Sequence, residues 1–351
     1  MVGVVRQRNY GIDLAKISAM FFMVLLHNLY VGGLLNEQIQ NDLPRWIAAW
    51  SLESLAIVAV NVFAMASGYL SAHREFIKSA ELLQIILQAL FWSWLILIVL
   101  QFAKVQIPSD VMLKYLLPDK PFWYVNAYIG MILLSPFLNA GIKQLQKKQF
   151  LGLILVLVLI SVTIGYRGHF YLEGGYSAYW LIVNYLIGAY IGIYVARTRF
   201  KKTKLLLGYL LTAAASLAWA AKVAYAGGSA MATMSYSTIF VLAQSLFFFL
   251  LLTQFTVKSN RMQKVLKFFS QSSLGVYLID ASAFYALVLP NLFIRWLNLP
   301  PVIMMLCVLG ATLVMFCVTN CQLKCNFLPM KTSDGVFQPK TLRGRLFSCA
   351  I

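Results

Sequence analysis

The chain has 351 residues, of which 61% are hydrophobic and only 11% charged, with a mean hydropathy of +0.76 and a formal net charge of +18. A soluble domain of this length carries about a quarter charged residues, so the composition excludes one and indicates a polytopic membrane protein. The positive charge is distributed between apolar runs, which assigns it to a lipid-facing rim and not to nucleic-acid binding.

Taken in chain order, apolar runs bounded by polar, Pro- or Gly-rich breaks predict ten spans. They lie near 12–35, 46–71, 81–103, 122–142, 149–166, 178–197, 204–224, 235–256, 272–292 and 299–320. The first follows Arg6 and Arg8 but is too long for a signal peptide and lacks a small-residue cleavage site, so it reads as a retained helix. The expected fold is therefore all-α, a membrane bundle of about ten transmembrane helices. One domain covers residues 1–325, and 326–351 forms a short basic cytoplasmic tail.

On one side of these spans fall 21 of the 29 basic residues, from Arg6 and Arg8 through Arg74, Lys143, Arg197 and Lys258 to the tail. By the positive-inside rule that side is cytoplasmic, and both termini are expected there. The cysteines (Cys307, Cys317, Cys321, Cys325, Cys349) lie in or after the last span, outside any disulfide-bearing outer loop. No spacing of His, Cys, Asp or Glu suggests a metal site.

Ionisable residues inside spans are costly, and so are candidates for function. In "IDLAKISAMFFMVLLHNLYVGG", Lys16 and His27 are eleven residues apart. That is three turns and about 20°, which places both on one face, roughly 16 Å apart along the axis. Lys16 lies about one turn inside the cytoplasmic end, where the alternative is a snorkelling lysine paired with Asp13 at i, i+3. His27 lies in the outer half of the first span, and Glu53 at a matching depth in the second. A carboxylate taking the proton of one imidazole nitrogen leaves the other as a base, so Glu53 is expected to pair with His27. Asn61 is a further polar position in the second span, and Asp280, in "SSLGVYLIDASAF", is a candidate partner for Lys16 or another buried cation.

The small residues Gly68, Gly188 and Gly192 suggest close helix packing. The outer stretch "KVQIPSDVMLKYLLPDKPFWYV" reads as an interfacial aromatic belt, with a sugar-binding ledge as its alternative.

Five stretches together resemble the bacterial acyltransferase-3 integral-membrane proteins, particularly those that O-acetylate surface polysaccharides. "NYGIDLAKISAMFFMVLLHNLYVGGLL" is similar to that family's first span, with its signature of Arg, ten residues, then His. "ESLAIVAVNVFAMASGYL" resembles its second span, "FWYVNAYIGMILLSPFLN" its fourth, and "YWLIVNYLIGAYIGIY" with "SSLGVYLID" later ones. Two positions depart: the family's arginine falls at Lys16, and a histidine common at the end of "VYLI" falls at Asp280. Lysine keeps the charge and loses the bidentate fork.

The resemblance implies a multi-pass protein of the bacterial plasma membrane that passes an acetyl group from cytosolic acetyl-CoA to a hydroxyl of a cell-surface or lipid-linked glycan. On that reading His27 and Glu53 are catalytic, Lys16 and Arg74 bind the acetyl-CoA, and Asp13, Asn61 and Asp280 are further intramembrane polar positions. Intramembrane Lys, His, Glu and Asp also suit a transporter or flippase, although no repeat symmetry or pair of broken helices is visible in the sequence. A catalytically impaired family member is the other alternative, given Lys16, Asp280 and the unusual tail.

Overall fold

The computed structural model describes residues 8–36, 38–77, 79–117, 122–165, 172–196 and 199–325; the tail 326–351 lies outside them. Among the described residues the regular structure is entirely helical. The helices are α1 (Tyr10–Tyr30), α2 (Leu43–Ala56), α3 (Ala59–Ser71), α4 (Ser79–Phe102), α5 (Ser109–Leu116), α6 (Trp123–Gln144), α7 (Lys147–Thr163) and α8 (Ala178–Tyr194). They continue with α9 (Lys202–Tyr225), α10 (Ala230–Thr233), α11 (Ile239–Thr253), α12 (Asn260–Gln271), α13 (Ser273–Asp280), α14 (Ala283–Leu287) and α15 (Pro301–Cys325).

Six stretches are long and apolar enough to cross a membrane: α1, α2 with α3, α4, α6, α9 and α15 as far as Asn320. Shorter apolar helices occupy 178–194, 239–253 and 273–287, and α7 has 17 residues. Helix starts are chemically specified. Asn9 accepts from the Gly11 amide at 3.0 Å, Asp42 accepts from the Arg45 amide at 2.9 Å, and Ser177 and Thr238 cap α8 and α11. These caps satisfy amides that helix geometry leaves without partners.

Helix α1 is the axis of the bundle, packed by α2, α3, α11, α12, α13 and α15. The tightest helix pair is α3 with α8. A Cβ on Gly68 would lie 1.9 Å from the Tyr185 carbonyl oxygen, and one on Gly188 would lie 1.9 Å from that of Met65. Only glycine allows backbones to approach this closely, as the small-residue spacing predicts.

One end of the bundle gathers the N-terminus of α1, the ends of α3, α6 and α11, and the start of α12. Asn9 Nδ2 donates to Tyr69 Oη at 3.3 Å, Tyr10 Oη donates to Gln263 Oε1 at 3.1 Å, and Lys143 Nζ lies 2.7 Å from Glu75 Oε1. This is the basic end of the molecule. Exposed at the surface, the Glu75 carboxyl is held below its ordinary range by the hydrogen bond and charge of Lys143.

The structure differs from the sequence reading in two spans. The second is broken at Ile57–Val58, between α2 and α3. The ninth starts at Ser273, as expected, but is broken at Ala281–Ser282, and a separate helix, α12, precedes it. Arg261, Lys264 and Lys267 make residues 260–271 look like a loop, yet Leu266 and Ser270 on the opposite face are buried against the bundle. An amphipathic helix has low mean hydropathy, so composition alone misses it.

The break between α2 and α3 is chemically supported. The carbonyls of Ser54 and Leu55, which would accept from the next turn of a continuous helix, instead accept from Gln244 Nε2 at 2.8 Å and Tyr209 Oη at 2.7 Å. In an apolar surrounding such carbonyls need partners, so these side chains stabilise the interruption.

The α3–α8 contact predicts contrasting glycine variants. Gly188→Ala should destabilise the protein by about 2 kcal/mol or more, because a backbone oxygen blocks the new methyl. Gly152→Ala and Gly310→Ala have nothing within 4 Å, and should be neutral or stabilising by about 0.5–1 kcal/mol. Thermal melts of the detergent-solubilised chain compare them directly.

Candidate active site

The break in the second span and the break in the ninth flank one cavity. It has a volume of 430 Å³ and is lined by His27 and Tyr30 of α1, Glu53 of α2, Ala59, Val60 and Phe63 of α3, and Trp123 and Tyr124 of α6. Tyr176, Ser235 and Tyr236 contribute from connecting segments, and Tyr277, Ala281 and Tyr285 from the ninth span. Tyr30 and Tyr176, 54% and 47% exposed, mark its mouth at the end of the bundle opposite the basic rim. The cavity continues inward past Met23 and Met20 to Ala19, so it follows α1 for about 16 Å.

His27 is held from two sides. Its Nδ1–H donates to the Asp280 carboxylate, whose side chain is only 3% exposed. The Tyr285 ring meets the imidazole edge-on, with centroids 4.7 Å apart. Asp280 is the last residue of α13, and the helix ends there. A carboxylate on Nδ1 fixes the tautomer and leaves Nε2 as the available lone pair. This overturns the expected pairing of His27 with Glu53, because α13 packs directly against α1 and brings a carboxylate that chain proximity did not suggest.

Glu53 nevertheless lines the same cavity. It is 2% exposed, and its Oε2 has no hydrogen-bond partner among the described residues. It sits in the last turn of α2, immediately before the break.

The remaining candidates occupy other places. Lys16 is half-buried and does not line the cavity. Its ammonium lies 5.8 Å from the centroid of Phe63, which does line it. Asp13 accepts from Arg8 at 2.8 and 2.9 Å at the basic end. Arg74 donates to Glu81 at 2.9 Å, also at that end. Asn61 is fully buried. Its amide donates to the Tyr236 carbonyl at 3.0 Å and to Ser245 Oγ at 3.2 Å, and its oxygen accepts from Trp180 Nε1 at 2.8 Å. Asn61 therefore positions the Tyr236 segment on the cavity wall without reaching the cavity.

A family model described as an acyltransferase domain matches residues 9–320. The chain belongs to the acyltransferase-3 family. No curated protein and no solved structure matches it. Family membership makes the chain a membrane acyltransferase, and it gives the departure at Asp280 a physical meaning. The acid at this position touches His27.

The aromatic lining was not foreseen as a unit. Trp123 and Tyr124 face the cavity, whereas the outer stretch before α6 reads as an interfacial belt. Tyr176 and Tyr236 come from separate connections; the Tyr236 ring stacks on Trp123 at 6.3 Å, and Tyr176 packs at a tilt against both, at 4.5 and 4.9 Å between centroids. The available signal was aromatic clustering just before three spans, in "FWYV", "GGYSAYW" and "MSYS".

The Asn61 network generates a test of positioning. Asn61→Ala leaves Trp180 Nε1 without its acceptor, and should cost about 3 kcal/mol of stability. A thermal melt and the accessibility of Tyr236 to surface labelling report the two expected effects, a lower melting temperature and a displaced wall.

Proposed function

We propose that this chain is an O-acetyltransferase of the bacterial plasma membrane, moving an acetyl group from cytosolic acetyl-CoA to a hydroxyl of a cell-surface or lipid-linked polysaccharide. All ten spans cross the membrane in this reading, with the basic end cytoplasmic. The observation that carries it is the buried Asp280–His27 pair facing a cavity that runs along α1 towards Lys16.

The chemistry follows from the pair. A hydroxyl is a weak nucleophile until a base removes its proton, and His27 Nε2 is placed to do so. The oxygen then attacks the thioester carbonyl carbon, the carbon–sulfur bond breaks, and the imidazolium returns the proton to the departing thiolate. Asp280 stabilises the imidazolium throughout, as the acid of a histidine-based relay does. Lys16 supplies positive charge at the inner end, suited to CoA phosphates, with the acetyl thioester reaching past it to His27. Arg74 adds charge at the cytoplasmic surface. Lysine binds such groups as a point charge without the fork of arginine, so Lys16→Arg should raise transfer if the anion is held there.

Two broken helices that meet at an acid-lined cavity also fit a transporter of a polar solute or lipid-linked sugar. The same membranes separate the readings. Transfer of labelled acetyl from acetyl-CoA to glycan should fall by about 10²–10⁴-fold in His27→Ala and by about 10²-fold in Asp280→Asn. Wild-type vesicles that move glycan precursor but transfer no label would establish transport instead.

A further inference from the structure

We infer that the outer part of the cavity is a subsite for an uncharged sugar ring, in which Glu53 accepts a hydrogen bond from a second hydroxyl of the molecule whose first hydroxyl faces His27. The inference rests on the acetyl-transfer reading and specifies the acceptor and the residue that selects it.

Three observations converge. Glu53 is buried to 2% exposure, lines the cavity, and has a carboxylate oxygen without a hydrogen-bond partner among the described residues. A buried acceptor left unpaired is costly, and a ligand hydroxyl is the donor that fits a cavity wall. The other acid at the site, Asp280, is already engaged by His27, so the two carboxylates have separate tasks.

Above Glu53, Trp123, Tyr176 and Tyr236 form a packed aromatic group, with Trp123 to Tyr176 at 4.5 Å and Tyr176 to Tyr236 at 4.9 Å between centroids. The Glu53 carboxyl is within electrostatic reach of both tyrosines. Aromatic faces cover the apolar C–H face of a sugar ring, while an adjacent acid takes its hydroxyls. Asn61 fixes the Tyr236 backbone, so the aromatic wall is preorganised.

The charge of the lining specifies the class of sugar. Among the described residues, no lysine or arginine lines the cavity. A carboxylate or phosphate on the sugar would lose water and meet no lysine or arginine among the described lining residues. A neutral hexopyranose pays none of these costs. Glu53 is therefore a specificity-determining residue: His27 acts on one hydroxyl and Glu53 sets which ring enters.

The test uses the full chain in detergent, with tritiated methyl hexopyranosides and the matching hexuronates as probes. Equilibrium binding should favour at least one neutral sugar over its uronate by about tenfold or more in the wild type. Glu53→Gln and Trp123→Ala should each weaken that binding by about tenfold, while Glu53→Asp retains part of it. In transfer assays Glu53→Gln should raise the KM for the sugar and leave the KM for acetyl-CoA in place. Equal binding of sugar and uronate by the wild type, which needs no variant to fold, overturns the subsite. So does a Glu53→Gln protein with the wild-type sugar KM, even where acetyl transfer itself proceeds. Glu53-dependent sugar binding without any transfer from acetyl-CoA overturns the acetyl-transfer reading and leaves the subsite standing.

Discussion

The structure depends on the contact between His27 and Asp280. A carboxylate within an apolar bundle is stable when it is paired and hydrogen-bonded, and an imidazole is a defined base when one nitrogen is committed. The two residues are 253 positions apart, so the contact joins α1 to α13. It commits Nδ1 to the carboxylate, so in the proposed reaction Nε2 is the nitrogen that takes part.

Around this contact the bundle gives up helical continuity twice. α2 ends just after Glu53, and α13 ends at Asp280. Each interruption leaves backbone groups that must be satisfied in a low-dielectric surrounding. At the first, Gln244 and Tyr209 provide donors to the freed carbonyls, and Ser54 Oγ donates to the Ala213 carbonyl at 2.7 Å. The cavity is thus built from stabilised breaks, and its two acids lie at helix ends where their side chains can turn inward. Close approach of α3 and α8 through Gly68 and Gly188 holds the far side of the same wall.

The two ends of the cavity are chemically unlike. Its mouth is aromatic and carries Glu53 without a counter-cation in the lining; its inner end approaches Lys16 across the Phe63 ring. An acyl group held near a cation and a hydroxyl held near a carboxylate would meet at His27, between the two. The division is consistent with the proposed transfer, in which donor and acceptor enter from opposite ends of the cavity.

Much of this was legible in the sequence. Hydropathy placed the long apolar helices, because a span must be apolar along its length. The 3.6-residue period made Lys16 and His27 candidates on an unbroken α1, and the structure puts only His27 on the cavity. Gly68 and Gly188 announced a close packing that needs no Cβ. The first-span signature also marked the family, and Glu53 stood out as an acid too deep to be solvated. Tertiary structure alone decided the partnerships. Sequence neighbours suggested Glu53 for His27 and left Asp280 to a cation, whereas α13 packs on α1 and gives Asp280 to the histidine. The broken helices, the role of Asn61 behind Tyr236 and the assembly of Trp123 from α6 with Tyr176 and Tyr236 from two connections escaped for one physical reason. Periodicity reports which face of a single helix is apolar, while the neighbour of that face is set by how distant helices pack.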